Sequence, residues 1–440
     1  MSNYDNVKIA VIGAGITGQS CVRYLTAQGA TVTVFDTRQA SKNPLDVCWG
    51  EIQTDALLRF SLIVVSPGVS LQLPAIRQAK NAGIEIIGDV ELFARANSLP
   101  AIGVTGSNGK STVVSLLGEI FAESGLEACV SGNIGTPVLN TLSSVAADSQ
   151  PSKAFDWYVL ELSSFQLEST FSLSLNIACI LNVSEDHLDR HGSMGEYIAA
   201  KQRIFSHAQS RIICRDDELT TYDNPDQSLT FGLSSSAVGM SWQADTQTII
   251  YNNAEFLDFA DCRLTGLHNV LNIQAASLIA IQAGIAHDSI VAAVKRFSGL
   301  PHRYQNLSTP DSVNWINDSK ATNPGATNVS LKAASSDTQG QVVLIVGGDA
   351  KQADLSQLAE QISMSVGYLI ALGKDGREFM PFAKRAIYVD SMEQAVCIAA
   401  EVAAPGDTVL LSPACASLDM FKNFEHRGEC FTTAVERLVA

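Results

Sequence analysis

Short apolar runs that give way to a glycine-rich turn and then to helical periodicity recur at three places along the chain. Val7–Ile12 leads into Gly13-Ala-Gly-Ile-Thr-Gly18 and a helical pattern through Leu25. Ala101–Val104 leads into Thr105-Gly-Ser-Asn-Gly-Lys-Ser-Thr112 and the amphipathic stretch Val113–Glu123. Val342–Val346 leads into Gly347-Gly-Asp-Ala-Lys351, with helix-like spacing over Leu355–Ile362. A strand buried on both faces reads as a continuous apolar run, and its alternation with helical segments predicts parallel sheets flanked by helices. Three such openings predict three α/β domains. Breaks at Asn97-Ser-Leu-Pro100 and Ser298-Gly-Leu-Pro301, where Gly and Pro end the preceding patterns, place them at residues 1–96, 97–299 and 300–440. Within the middle domain, the polar–apolar alternation of Ser228–Arg263 predicts an added small β layer, and Ser143–Ser152, rich in Ser and Ala, reads as a surface loop.

Composition supports this picture and narrows it. At 440 residues the chain has room for two to four domains of roughly 100–200 residues. Its 46% apolar and 17% charged residues exclude a disordered or low-complexity protein. A net charge of −16 argues against a general nucleic-acid binder, which needs a basic face, but leaves room for a nucleotide held by local amides and lysines. The nine cysteines are scattered without a Cys-x-x-Cys pair, as expected of reduced thiols in a cytosolic protein. No basic leader segment and no uncharged apolar run long enough for a membrane span is visible, so a cytoplasmic location is expected.

The two glycine loops carry the first chemistry. Gly13-x-Gly-x-x-Gly18 matches the dinucleotide fingerprint, and Asp36, about 20 residues on at the end of Thr31–Phe35, stands where a ribose-binding carboxylate would lie. The glycines permit close approach to a pyrophosphate on a helix N-terminus, which any nucleoside diphosphate satisfies. Gly109-Lys110-Ser111 after a strand supplies amides for phosphate oxygens, a lysine for the β and γ phosphates and a hydroxyl for Mg²⁺. The strict P-loop pattern would need glycine at Val104, so the match is one residue short. An ATP loop beside a second nucleotide loop points away from a simple dehydrogenase. The fold class expected is therefore α/β, with a Rossmann-like N-terminal domain, a central P-loop ATPase domain and a Rossmann-like C-terminal domain.

The sequence Gly103-x-Thr-Gly-x-Asn-Gly-Lys-Ser-Thr112 resembles the ATP loop of the Mur ligases, the amino-acid-adding enzymes of peptidoglycan synthesis. The resemblance runs the length of the chain. It includes Glu161-Leu-Ser-Ser-Phe-Gln-Leu-Glu168, Asn182-Val-Ser-Glu-Asp-His-Leu-Asp189, Ala200-Lys201 with Ile204-Phe205, and Gly266-x-His268-Asn269-x-x-Asn272. Leu300-Pro-His-Arg303 and Asn317-Asp-Ser-Lys-Ala-Thr322 continue it. Asp318–Asn323, Ser412–Asp419 and Lys422-Asn-Phe-Glu425 resemble the D-glutamate-adding branch, and the motifs of the sister branches are missing from the third domain.

The resemblance implies an ATP-dependent ligase that forms an acyl phosphate on UDP-N-acetylmuramoyl-L-alanine and then an amide with D-glutamate. It implies two Mg²⁺ ions, a monomer, and no nucleic-acid or membrane partner. By residue-wise carry-over, ATP falls to Gly106, Ser107, Asn108, Gly109, Lys110, Ser111 and Thr112, with Asn269 and Asn272 at the adenine and Arg303, Asp318 and Lys320 from the third domain. The uridine-diphosphate substrate falls to Thr17, Gly18, Asp36, Thr37, Arg38, Gly68 and Asn133. D-Glutamate falls to Thr322, Lys351, Ser417 and Phe424, a lysine and two hydroxyls suiting a dicarboxylate.

Lys110, His187 and Lys201 are the catalytic candidates, and Ser111, Glu161, His187 and Lys201 the metal ones. A strand-end glutamate and a helical lysine are ordinarily solvated, and Asn269 and Asn272 could simply cap their helix. His187 and His191 also invite a zinc reading, but Leu188 stands where a zinc-protease motif needs glutamate, and Asp186 and Asp189 read as supporting residues. A cationic Lys201 would repel a metal, so its implied role requires addition of CO₂ to give an anionic carbamate. Linkers near Pro100 and Pro301 are the hinges expected of domain closure. A nicotinamide oxidoreductase would leave the Gly109-Lys-Ser loop unused, and a non-catalytic ATP switch would leave Glu161, His187 and Lys201 without purpose. A folate- or cyanophycin-type ligase would lack the Gly13–Arg38 region.

Overall fold

The computed structural model describes residues 4–38, 45–142, 155–221, 228–307, 312–351 and 353–438; the expected surface loop Ser143–Ser152 lies outside them. Each of the three apolar runs becomes an inner strand of a parallel sheet. The first sheet has five strands in the spatial order 47–49, 31–36, 8–12, 62–65 and 85–87. All neighbours run parallel, with Ile12 opposite both Phe35 and Val65. Strand order reverses between Lys8–Ile12 and Leu62–Val65, and a crevice opens at the carboxyl ends of strands flanking such a reversal.

The second sheet orders six parallel strands as 228–231, 208–214, 175–180, 101–105, 157–161 and 128–132. Ala101–Thr105 is buried along its whole length, which is why it reads as an unbroken apolar run. The expected small layer forms as an antiparallel sheet of Met240–Gln243, Thr248–Tyr251 and Ala254–Asp258. Its boundary differs from expectation, because Ser228–Phe231 pairs in parallel with Ala208–Cys214 and extends the main sheet instead.

The third sheet orders 305–307, 314–317, 408–411, 342–347, 366–372 and 386–388, antiparallel only at Gln305–Leu307. Leu355–Ile362 is not one α-helix. Leu355–Leu358 is a 3₁₀ turn started by Asp354, whose carboxylate accepts from the Ser356 amide, and the α-helix covers Ala359–Ser365. The helix around Lys201 runs Met194–Gln202, because Ser193 caps it by accepting from the Glu196 amide, and it tightens to 3₁₀ over Arg203–Phe205.

Two compact units result: Met1–Cys262 with Leu271–Arg296, and Arg263–Val270 with Phe297–Ala440. The first two sheets share a unit because the helix Asp89–Ala96 is buried between them. Its Phe93 stands edge-on to Tyr158 at 4.8 Å, and both belong to one continuous apolar core. The Glu91 carboxylate accepts from the Phe171 and Ser172 amides at 2.7 and 2.8 Å and from Arg95 at 3.0 Å. Burial pushes the Glu91 pKa up, but these donors outweigh it and hold it below the ordinary value. All nine cysteines are free, and among the described residues no helix is long and apolar enough to cross a membrane.

Deleting the Phe93 ring removes packing on both sides of this join. Phe93→Ala is expected to destabilise the first unit by about 3–5 kcal/mol in denaturant titrations, and a loss below about 1 kcal/mol would contradict the shared core.

Candidate active site

The loop after Ala101–Thr105 is tied to Asn182 by paired contacts. Asn182 clasps Asn108 from both sides, accepting from its amide at 2.8 Å and donating to its carbonyl at 3.1 Å, while the Ser107 amide donates to the Asn182 carbonyl. Gly109 has φ +84° and is the N-cap of helix Lys110–Glu123, with no side-chain cap on that helix. A Cβ there would collide with the Asn272 amide oxygen, so glycine both turns the chain and admits Asn272. Gly15 likewise starts the helix Ile16–Ala27 without a side-chain cap. Helix N-termini suit phosphate oxygens, and neither of these two carries the side-chain cap that Ser193, Asn323 and Ser391 give the helices they begin.

Lys110 Nζ donates to the carbonyls of Gly106 at 2.6 Å and Ser107 at 3.0 Å. Lys201 Nζ, from the Met194–Gln202 helix, reaches the same Gly106 carbonyl at 3.0 Å and lies 4.4 Å from the Tyr197 ring centre. Burial, then the charge of Lys110, pushes the Lys201 pKa well below that of a free lysine, with Asp186 opposing weakly. Ser111 and Thr112 are buried at the helix start, and the Ser111 hydroxyl donates to Glu161 Oε2 at 2.6 Å. Glu161, 3% exposed at the end of its strand, also accepts from Asn133 Nδ2 at 2.9 Å. The structure thus brings Ser111, Glu161 and Asn133 together.

His187 sits on a left-handed backbone (φ 56°), its ring 4.8 Å from Phe165 and its Nε2 3.6 Å from Asp186 Oδ2. Among the described residues no group of three or more His, Cys, Asp and Glu side chains is gathered as a metal site. The Asp189 side chain lies outside the described set.

In the first crevice, a Cβ on Gly18 would collide with the Gly13 carbonyl, so the third glycine lets helix and strand close. Asp36 does not stand alone at its strand end. It accepts from the Ala14 amide at 2.8 Å and from the Arg38 guanidinium at 2.7 and 2.9 Å, and these hydrogen bonds hold its pKa far below the ordinary value. Thr37, Arg38 and Gly68 are exposed, and Thr17 is half-buried.

The second unit gathers its own set. Asp349 and Ala416 exchange both backbone hydrogen bonds at 2.9 Å, joining the turn of Lys351 (φ 49°) to that of Ser417. Lys320 Nζ lies 3.7 Å from the Phe424 ring centre. Thr322 is exposed beside them in sequence. Asp318 is buried, with its carboxylate accepting from Ser330 at 2.5 Å, Ser412 at 2.9 Å and the Tyr304 amide at 3.1 Å. Burial raises its pKa to about 6 against these bonds and the charge of Arg303. Asn269 is buried on the helix Leu267–Gln282, Nδ2 donating to the Thr265 carbonyl at 2.8 Å, and shares that helix with Asn272.

Three family profiles match in chain order: a Mur ligase MurD-like N-terminal domain over 7–88, a Mur ligase middle domain over 104–280, and a Mur ligase glutamate ligase domain over 302–415. The chain belongs to the Mur ligase family. It is 41% identical over 444 residues to the UDP-N-acetylmuramoylalanine–D-glutamate ligase of Haemophilus influenzae, covering 98% of each chain. It is 42% identical to the enzyme of that name from Shewanella oneidensis, covering 99% of each. The fold is that of the UDP-N-acetylmuramate–alanine ligase MurC of Thermotoga maritima (TM-score 0.63, 17% identity, 98% of this chain and 100% of that one). It is also that of T. maritima MurF in complex with ADP (TM-score 0.62, 17% identity, 99% and 96%). The α/β class with mainly parallel sheets is the family's, and the family's members are ATP-dependent amide ligases.

Several groups in this Mur ligase escape a motif reading. Arg427 is 2% exposed and donates to the Ser319 hydroxyl and carbonyl at 3.0 and 2.8 Å, to the Cys415 carbonyl at 3.0 Å and to Gly347 at 3.5 Å. It ties together loops following three neighbouring strands, and burial lowers its pKa to about 10. Lys374, 3.3 Å from Asp349, adds a cation beside the Lys351 turn. Their only sequence signal is proximity to Lys422–Glu425 for the first and to Gly373 for the second.

The sign of the Asp318 shift fixes a pH dependence. A carboxyl whose pKa is higher folded than unfolded favours folding at low pH and loses that contribution as pH rises through about 6. Relative to Asp318→Asn, the second unit of the wild type is expected to lose up to about 3 kcal/mol of stability between pH 4 and pH 7. A pH-independent difference in paired denaturation curves would contradict this.

Proposed function

We propose that this chain joins D-glutamate to UDP-N-acetylmuramoyl-L-alanine, with ATP converted to ADP and phosphate, as a monomer in the cytoplasm. The observation that carries the reading is the end-to-end similarity to ligases bearing that name, at 41–42% identity. The residues suit the chemistry. The helix start at Gly15, with Thr17, Gly18 and Asp36–Arg38, receives the uridine diphosphate, with Gly68 and Asn133 as further contacts. The loop Gly106–Thr112 receives the ATP phosphates, and Lys110 exchanges its carbonyl partners for phosphate oxygens. Asn269 and Asn272 hold the adenine, and Arg303, Asp318 and Lys320 complete the ATP site. Thr322, Lys351, Ser417 and Phe424 hold D-glutamate. The working domains are 1–96, 97–299 and 300–440.

The γ-phosphoryl group passes to the substrate carboxylate, giving an acyl phosphate and ADP. The D-glutamate amine attacks the acyl carbon, loses its proton, and the tetrahedral intermediate expels phosphate to leave the amide. Such a transfer is chiefly alignment and charge neutralisation.

Ser111 Oγ and a Glu161 oxygen, 2.6 Å apart, are the hard oxygen donors that Mg²⁺ takes. They would hold one ion, and His187 with a carbamoylated Lys201 a second. Bound there, Mg²⁺ supplies charge neutralisation at the phosphoryl and carboxylate oxygens. The depressed pKa of Lys201 supports the carbamate, because only the neutral amine adds CO₂, releasing a proton as the anionic carbamate forms.

Phosphate release with Mg·ATP and UDP-N-acetylmuramoyl-L-alanine is expected to be stimulated by D-glutamate alone among a panel of amino acids, with the matching product mass. Stimulation by another amino acid would assign the chain to a sister ligase activity. Lys201→Ala is expected to lower kcat by about 100-fold or more, the scale of a lost charge-stabilising group. Full activity in that variant, without CO₂ dependence in the wild type, would overturn the carbamate.

A further inference from the structure

Arg190 takes part in none of the roles above, yet its guanidinium joins two of the site's walls. It belongs to the short helix Leu188–His191, and its amide donates to the His187 carbonyl at 3.0 Å. Its side chain is only 14% exposed and extends to the turn that follows strand Leu62–Val65, donating to the Val69 carbonyl at 2.7 Å and the Pro67 carbonyl at 3.4 Å. Those two carbonyls flank Gly68. The same turn is pressed against the first glycine loop, where Ser66 Oγ donates to the Gly13 carbonyl at 3.3 Å and leaves a Gly13 Cβ no room. It is therefore one wall of the crevice at the strand reversal.

The other face of the guanidinium lies 4.7 Å from the Phe165 ring centre, and Glu168 Oε2 is 3.5 Å away. Phe165 stacks on His191 at 5.3 Å and 21°, and tilts against His187 at 4.8 Å. His191 is fixed in turn, with Nδ1 3.1 Å from Glu168, Nε2 2.9 Å from Ser164 Oγ, and its ring 5.1 Å from Tyr197. The Tyr197 hydroxyl shares a 3.0 Å hydrogen bond with Ser107 of the ATP loop. A continuous set of contacts thus runs from the crevice wall through Arg190, Phe165, His191 and Tyr197 to the phosphate loop.

We propose that Arg190 is a positioning residue that clamps the Pro67–Val69 turn to the His187 loop, and so sets the reach of the uridine-nucleotide substrate toward the phosphoryl group. A planar fork that reaches two carbonyls while stacking on an aromatic ring is a task for arginine, which lysine performs only in part. The identity of the nucleotide substrate rests on the function proposed above; the clamp itself does not.

The test compares wild type, Arg190→Met and Arg190→Lys. In the ligand-free protein the Val69 amide, bonded to the Ser66 carbonyl, is expected to exchange at least about tenfold faster in Arg190→Met, with the Val104 amide of the central strand unchanged. In turnover, KM for UDP-N-acetylmuramoyl-L-alanine is expected to rise about tenfold or more, KM for ATP to stay within about twofold, and Arg190→Lys to fall between. Unchanged Val69 exchange overturns the clamp. Faster exchange with an unchanged substrate KM overturns its positioning role, as does an equal rise in both KM values with a general loss of protection. Absence of turnover in the wild type would instead defeat the functional reading, and the exchange comparison would still decide the clamp.

Discussion

Two lysine side chains end on one carbonyl oxygen, that of Gly106. Two full charges in so small and buried a space repel strongly, and only one of the pair has ready solvation. Lys110 is half-buried, whereas Lys201 is 2% exposed, and burial, then the charge of Lys110, pushes the Lys201 pKa well below that of a free lysine. Close by, the Glu161 carboxylate joins Ser111 and Asn133, accepting from the hydroxyl of one and the side-chain amide of the other.

The backbone does as much as the side chains. Parallel strands deliver every loop of interest to carboxyl ends, and the reversals of strand order leave those loops with crevices instead of neighbours. The helices Ile16–Ala27 and Lys110–Glu123 both begin on glycine, without a side-chain cap. In the second unit the backbone bridge between Asp349 and Ala416 joins the turns that bring Lys351 and Ser417 forward, and Arg427 fixes their bases from within the core.

What the sequence reveals follows from how local the cause is. Gly13–Gly18 and Gly106–Thr112 are legible as strand-to-helix turns because turn and helix start fall within a few adjacent residues. The split of Leu355–Ile362 into a 3₁₀ turn and a helix turns on the Asp354 cap, which apolar spacing does not register. Ser228–Phe231 looks like part of a meander by its own alternation, and only the free edge of Ala208–Cys214 makes it a parallel strand. The clasp of Asn108 by Asn182 joins two recognisable motifs, but the pairing exists only in three dimensions. Arg427 and Arg190 are less visible still. Arginines beside histidines and glutamates read as surface, and their carbonyl partners have no sequence signature at all.

The buried helix Asp89–Ala96 has a consequence for how such proteins recombine. Glu91 spends its carboxylate on the amides of Phe171 and Ser172, and Phe93 lies against Tyr158, so the first sheet ends chemically inside the second. A chimera cut at the visible break near Pro100 would separate a carboxylate from its donors and an aromatic ring from its socket. N-terminal domains of different origin are therefore exchangeable at this joint only as matched pairs, with the amide-donor segment around Phe171 travelling alongside the acceptor helix Asp89–Ala96.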